Sequence, residues 1–205
     1  MIKITLTIIL LMLSTSIFGK NSFKELRDSD LPRKAKSIVY DDSGKIIELV
    51  KNSWSDRLKS KDGGHVYYSY EQGYNYEKKQ GFLKVYDDKK NLIEEKWDKE
   101  IDGAICQEEA LIAFDVFKNN AKVKKQFALT DEVIELQTGF NFQDDDKCKL
   151  GNRCVHVFAS AGDVTVLAHS IVKLSDLSVP YPEYDMETTH EKLKLGLYKS
   201  TNKNQ

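Results

Sequence analysis

Apolar and polar positions along the chain change period at about residue 105. Before that point they alternate in short runs broken by glycines and paired aspartates, a pattern that predicts β-hairpins. Val39 to Glu48 reads VYDDSGKIIE and Val85 to Glu94 reads VYDDKKNLIE, two segments 46 residues apart and identical at six of ten positions. In each copy a Val-Tyr arm enters paired aspartates that accept local backbone hydrogen bonds. Gly44 or Asn91 then supplies the left-handed residue before the return strand. On that reading the left-handed residues of the two copies stand one position apart. From Ile105 the apolar residues recur at helical spacing, with Ile105, Ile112, Val116, Val123 and Phe127 on one stripe flanked by Ala113, Phe117 and Ala121. Asp102 is the expected N-cap, Glu108 and Glu109 suit the positive end, and Lys122, Lys124 and Lys125 suit the negative end. Asn119 and Asn120 mark a bend or break in the middle. Alternation returns over Val133 to Phe142, where Ile134, Leu136, Thr138, Phe140 and Phe142 share a face. Arg153 to Ser160 and Val164 to Leu174 then predict a hairpin about a two-residue turn at Gly162 and Asp163. Its register pairs Val157 with Ala168, Ala159 with Val166 and His156 with His169, and the sheet ends at Pro180.

The predicted fold is α+β: an N-terminal antiparallel β-meander of hairpins from about residue 36 to 98, one long amphipathic helix, and a three-stranded antiparallel sheet. The chain divides into a signal peptide over 1–19, a β-rich region over 20–100 that carries the VYDD hairpin repeat, a helix plus sheet over 101–180, and a Pro/Tyr segment with a polar tail over 181–205. A short helix is expected over Met186 to Tyr198, followed by a frayed end from Ser200. The Tyr-Asp-x-x-Gly element from Tyr40 to Gly44 resembles the YD-type repeats of large bacterial surface and toxin proteins over about ten residues. Two copies do not make the long array such repeats form, and the resemblance implies no function.

The N-terminus sets the expected compartment. Lys3 is followed by an apolar run from Ile4 to Phe18 that only Thr and Ser interrupt, which is the h-region of a secretory signal and too short to span a bilayer. Gly19 supplies the small residue at the cut, so cleavage is predicted between Gly19 and Lys20, with the mature chain exported to the periplasm or the medium. Loss of Lys3 leaves 30 basic residues against 32 acidic ones, a net charge of −2, and no later apolar stretch is long enough for a transmembrane segment. Charge of both signs is scattered and no basic block interleaves with aromatics, which argues against nucleic acid as a partner. The chain has no Asn-x-Ser/Thr acceptor, in keeping with a bacterial exported protein.

Candidate chemistry is sparse. Cys148 and Cys154 bracket a Gly-Asn turn and predict a short disulfide staple, favoured over a metal knuckle because no second Cys or His pair completes one. Cys106 is then left over as a buried free thiol on the helix face. Asp144 to Asp146 lack the alternating ligands of a calcium loop and predict a solvated turn. Tyr67, Tyr68, Tyr70, Tyr74 and Tyr76 make a tyrosine-rich stretch that reads either as sheet packing or as an aromatic face for a peptide or glycan. His156 and His169, opposite one another in the predicted register, are close enough to share one metal ion with a third ligand from elsewhere. No Gly-rich phosphate loop, His-Glu-x-x-His or Gly-x-Ser-x-Gly is present. The sequence therefore leans away from an enzyme and implies no cofactor. It favours an exported, non-enzymatic binding module that meets a protein or an envelope glycan through its tyrosine-rich β surface. The alternative is a small metal-binding protein or metal-dependent hydrolase centred on His156 and His169.

Overall fold

The computed structural model describes residues 22–101 and 103–184. The predicted signal peptide and the short helix expected over Met186 to Tyr198 lie outside the described residues. Most of the described chain is antiparallel sheet, with two helices.

The first sheet is the expected meander. Strands β1 (Ser37–Tyr40), β2 (Ile46–Lys59), β3 (His65–Asn75), β4 (Gln80–Tyr86) and β5 (Leu92–Asp98) pair in chain order. Its two VYDD turns close in the same way. The backbone N–H groups of Asp41 and Asp87 donate to the carbonyls of Lys45 and Asn91 at 2.9 and 3.0 Å. The aspartate Oδ1 atoms accept from the backbone two and four residues on, at 2.8–2.9 Å. The left-handed residues are Gly44 (φ 83) and Lys90 (φ 67), which occupy the same position in the two copies. Asn91 is not the left-handed residue; it opens the return side and its amide donates to Asp87 Oδ2 at 2.8 Å.

The second half departs from expectation in three places. The helical stripe is two helices, α1 (Gln107–Asn119) and α2 (Ala121–Phe127), rather than one long helix. Asn120 divides them: its N–H caps Phe117, and its side chain accepts from the N–H groups of Lys122 and Val123. The N-cap of α1 is Cys106, whose N–H is accepted by Glu109 at 3.0 Å, and Asp102 lies outside the described residues. Second, the C-terminal sheet has four strands, β6 (Ile134–Phe142), β7 (Cys154–Ala161), β8 (Val164–Lys173) and β9 (Ser178–Tyr181). Pro180 sits inside β9, an edge strand, where a missing donor breaks no ladder. Third, bulges reset two registers. A shift between Thr138 and Asn141 leaves Phe140 71% exposed instead of on the inner face. A shift between Ala159 and Ala161 pairs Val157 with Ser170 and Ala159 with Ala168, two residues from the predicted register, so every side chain keeps its face.

Both sheets and both helices enclose one core. Ile46, Leu49 and Tyr74 from the first sheet meet Phe114, Phe117 and Phe127 from the helices and Ile134, Val155 and Val157 from the second sheet. Phe23, paired beside Ile134, closes one end with its ring 5.4 Å from that of Phe127. Among the described residues no helix is long and apolar enough to cross a membrane.

Candidate functional site

The tyrosine-rich strand β3 serves two regions of the molecule. At its C-terminal end Tyr74 and Tyr76 are 1% and 9% exposed, so they are core residues and leave the predicted aromatic face. They frame a buried ionic cluster. Arg153 donates from Nε and Nη2 to the two carboxylate oxygens of Glu109, at 2.9 and 3.0 Å, and both side chains are fully buried. The Tyr76 hydroxyl donates to Glu109 Oε1 at 2.8 Å, and Lys51 Nζ lies 3.3 Å from Oε2. Lys51 sits at the β2 irregularity between Val50 and Asn52, and its side chain is turned inward. The Tyr74 hydroxyl donates to the Gly151 carbonyl, and Arg153 Nη1 donates to the Gly103 carbonyl at 3.0 Å. Burial pushes the Glu109 carboxyl up, but the charges of Arg153 and Lys51 outweigh it and hold the group at about 2. Burial and the neighbouring carboxylate raise Tyr76 well above the ordinary tyrosine value. All these groups point at one another within the interior, so the cluster ties the first sheet, α1 and the Cys148–Cys154 loop together and leaves no reactive atom facing solvent.

At its other end β3 leaves the body. Strand β2 has no β1 partner beyond Val50, and β3 has no β4 partner before Ser69. The pairs from Asp56↔Tyr68 to Lys59↔His65 therefore extend as a two-stranded arm, with Trp54↔Tyr70 at its base where β4 still pairs, and every residue from Asn52 to Lys59 is exposed. Strand alternation gives the arm two unlike faces. One carries Trp54, Asp56 and Leu58 opposite Tyr70, Tyr68 and Val66; the other carries Ser55, Arg57 and Lys59 opposite Ser69, Tyr67 and His65. The Trp54 and Tyr70 rings stack 5.1 Å apart, 6° from parallel, with Trp54 41% and Leu58 50% exposed. On the polar face Tyr67 is 51% exposed, and Arg57 Nη2 donates to His65 Nε2 at 2.9 Å. Of the five tyrosines singled out in the sequence, Tyr67, Tyr68 and Tyr70 thus lie on the arm. Trp54 was missed; its place in the alternation of SWSDRL, opposite a tyrosine run of the same period, was the available signal.

The two histidines meet, though diagonally. His156 pairs with Ile171 and His169 with Phe158, and His156 Nδ1 lies 2.9 Å from His169 Nε2. The His169 ring stacks on Phe158, while Tyr184 sits edge-on to both imidazoles and Phe142 edge-on to His156. Burial lowers the His156 pKa. Among the described residues no group of three His, Cys, Asp or Glu side chains converges where it could hold a metal ion.

Cys148 and Cys154 are joined by a disulfide, with Cα atoms 5.9 Å apart. Asp144 organises the loop that leads to it: one oxygen accepts from the N–H groups of Asp146 and Cys148 and the other from the Tyr181 hydroxyl, which lowers the Asp144 pKa. Cys106 is free and buried, and burial followed by the nearby Glu109 charge pushes its thiol up to about 12. No family model matches the chain, and comparison with curated proteins and with solved structures finds no match.

Proposed function

We propose that this chain is an exported, non-enzymatic binding module and that the β2–β3 arm is its contact surface, with a protein partner seated on the Trp54 face. The observation that carries this reading is the Trp54–Tyr70 stack, with Trp54 41% exposed, at the root of a two-stranded ribbon. A lone hairpin buries too little to stabilise itself well, so a long one kept outside the core, with large aromatics on one face, is more suited to contact than to folding. Stacking also fixes both rings before any partner arrives, which lowers the side-chain entropy lost on binding. The free edge β5 is a poorer surface: Glu94, Glu95 and Lys96 run along it, and charged side chains on an edge resist added strands. Export is supported by the apolar run from Ile4 to Phe18 and by a disulfide suited to an oxidising compartment.

The test is recovery of partners from the envelope fraction of the protein's own host by the immobilised chain. Alanine at Trp54, Tyr68 and Tyr70 together is expected to abolish recovery of the partner, whereas alanine at Phe140, which is more exposed but off the arm, is expected to leave it intact. Equal recovery by both variants rejects the arm, and a recovered glycan in place of a polypeptide changes the partner class. Tyr74 is unsuited to this test because its removal would open the core.

A further inference from the structure

An apolar recess of about 520 Å³ opens where the β1–β2 turn, α1 and the β8–β9 turn meet, on a part of the molecule distinct from the arm. Core residues Ile46, Tyr76 and Leu174 line it together with the half-buried Ile112. Its rim is built from three large apolar side chains left in solvent, Tyr40, Leu111 and Leu177, which are 53%, 43% and 50% exposed. Scattered exposed apolar residues are ordinary, but three from three separate elements converging on one opening are a site.

Leu177 adds an independent sign. Its φ is 55, in the left-handed region that glycine and asparagine enter readily and leucine rarely, on an exposed turn between Asp176 and Ser178. A turn optimised for its backbone would carry a small polar residue there. The leucine puts an aliphatic wall on the recess instead, and strained backbone of this kind concentrates at ligand sites. Two charged side chains line the recess. Glu108 is already engaged, accepting the Ala35 N–H at 2.9 Å, whereas Lys45 presents an exposed cation beside the first turn.

We infer that this recess binds the hydrocarbon chain of a fatty-acid-class ligand, with its carboxylate set against Lys45. The volume falls in the range of small-ligand pockets, Ile46, Leu111, Ile112, Leu174 and Leu177 supply aliphatic wall for a chain, and among the described residues Lys45 is the one cation in the lining to meet an anionic head group. The inference does not depend on the arm.

Laurate and dodecanol, titrated calorimetrically into the full mature chain, test it. Wild type is expected to bind both saturably. L177N should weaken both by at least about tenfold, the worth of one buried aliphatic side chain, with no loss of melting temperature because asparagine suits the turn. K45Q should weaken laurate by about threefold, as expected of a solvent-exposed charge contact, and leave dodecanol unchanged. Absence of saturable laurate binding, or L177N binding both ligands like wild type, overturns the site. An unchanged laurate affinity in K45Q overturns the placement of the carboxylate.

Discussion

Glu109 and Arg153 face each other as a bidentate ion pair with neither side chain open to solvent. Glu109 comes from the first turn of α1 and Arg153 from the residue before β7, so the contact links elements 44 residues apart. Taking charges this far from water is favourable only when each is fully partnered, and Lys51, Tyr76 and the Cys106 N–H complete the carboxylate's set. E109A would remove the buried carboxylate that Arg153 and Lys51 share, and the expected cost is about 3–5 kcal/mol. The same pair sets the acid limit. Because the folded-state pKa of Glu109 is depressed from 4.5 to about 2, its contribution is fully present above pH 4.5 and is lost as pH falls toward 2. Chemical denaturation across that window should show a loss of roughly 3 kcal/mol in wild type that is missing from E109Q.

The disulfide closes a loop of six residue steps and constrains the neighbour of Arg153. Loop-closure entropy predicts that replacing both Cys148 and Cys154 with serine costs about 2 kcal/mol. Without reductant, thiol titration should find no reactive group in the native chain and one, Cys106, after denaturation, since the buried thiol stays protonated at any ordinary pH.

The two VYDD turns make an internal comparison of glycine with lysine at one left-handed position. K90G should raise stability by up to about 1 kcal/mol by removing the side-chain penalty there, and G44K should lower it by a similar amount. Thermal melts of the two single variants check both signs.

His156 has a pKa below 6.5 because burial disfavours its cation. Its neighbours are aromatic rings and the His169 imidazole, so protonating both members of the pair is opposed. The folded state therefore binds fewer protons than the unfolded one: this contribution to stability is complete above pH 6.5 and declines as pH falls below it. Imidazole proton resonances followed through a pH titration should place the midpoint of His156 below that of a free histidine, and H156F should remove the corresponding slope in the stability curve.

Local chemistry was legible in the sequence and its distant assembly was not. The meander, the Gly162–Asp163 turn, the Cys148–Cys154 staple and the division near Asn120 all rest on residues within a few positions of one another, where turn, cap and periodicity rules operate. Bulges broke the longer inferences. Those at Thr138–Asn141 and Ala159–Ala161 moved Phe140 out of the core and made the histidine pair diagonal; the first is marked in the sequence only by Gly139, a lone glycine in a strand pattern. Glu109 read only as a charge suited to the positive end of the helix because its true partners, Arg153, Lys51 and Tyr76, arrive from other elements. The same limit applied to β3, whose tyrosines look alike in sequence. Neighbouring strands bury Tyr74, while β4 ends before it can cover Tyr67 and leaves that ring in solvent.

Site-specific photo-crosslinking in the native host asks whether a partner sits on the arm. A photoreactive residue replacing Trp54 or Tyr67, one on each face of the arm, is compared with one replacing Leu129, 70% exposed and outside the arm, in the turn after α2. The account predicts a discrete adduct from position 54, a weaker or absent one from position 67, and none from position 129. Adducts from position 129 with none from position 54 would contradict it.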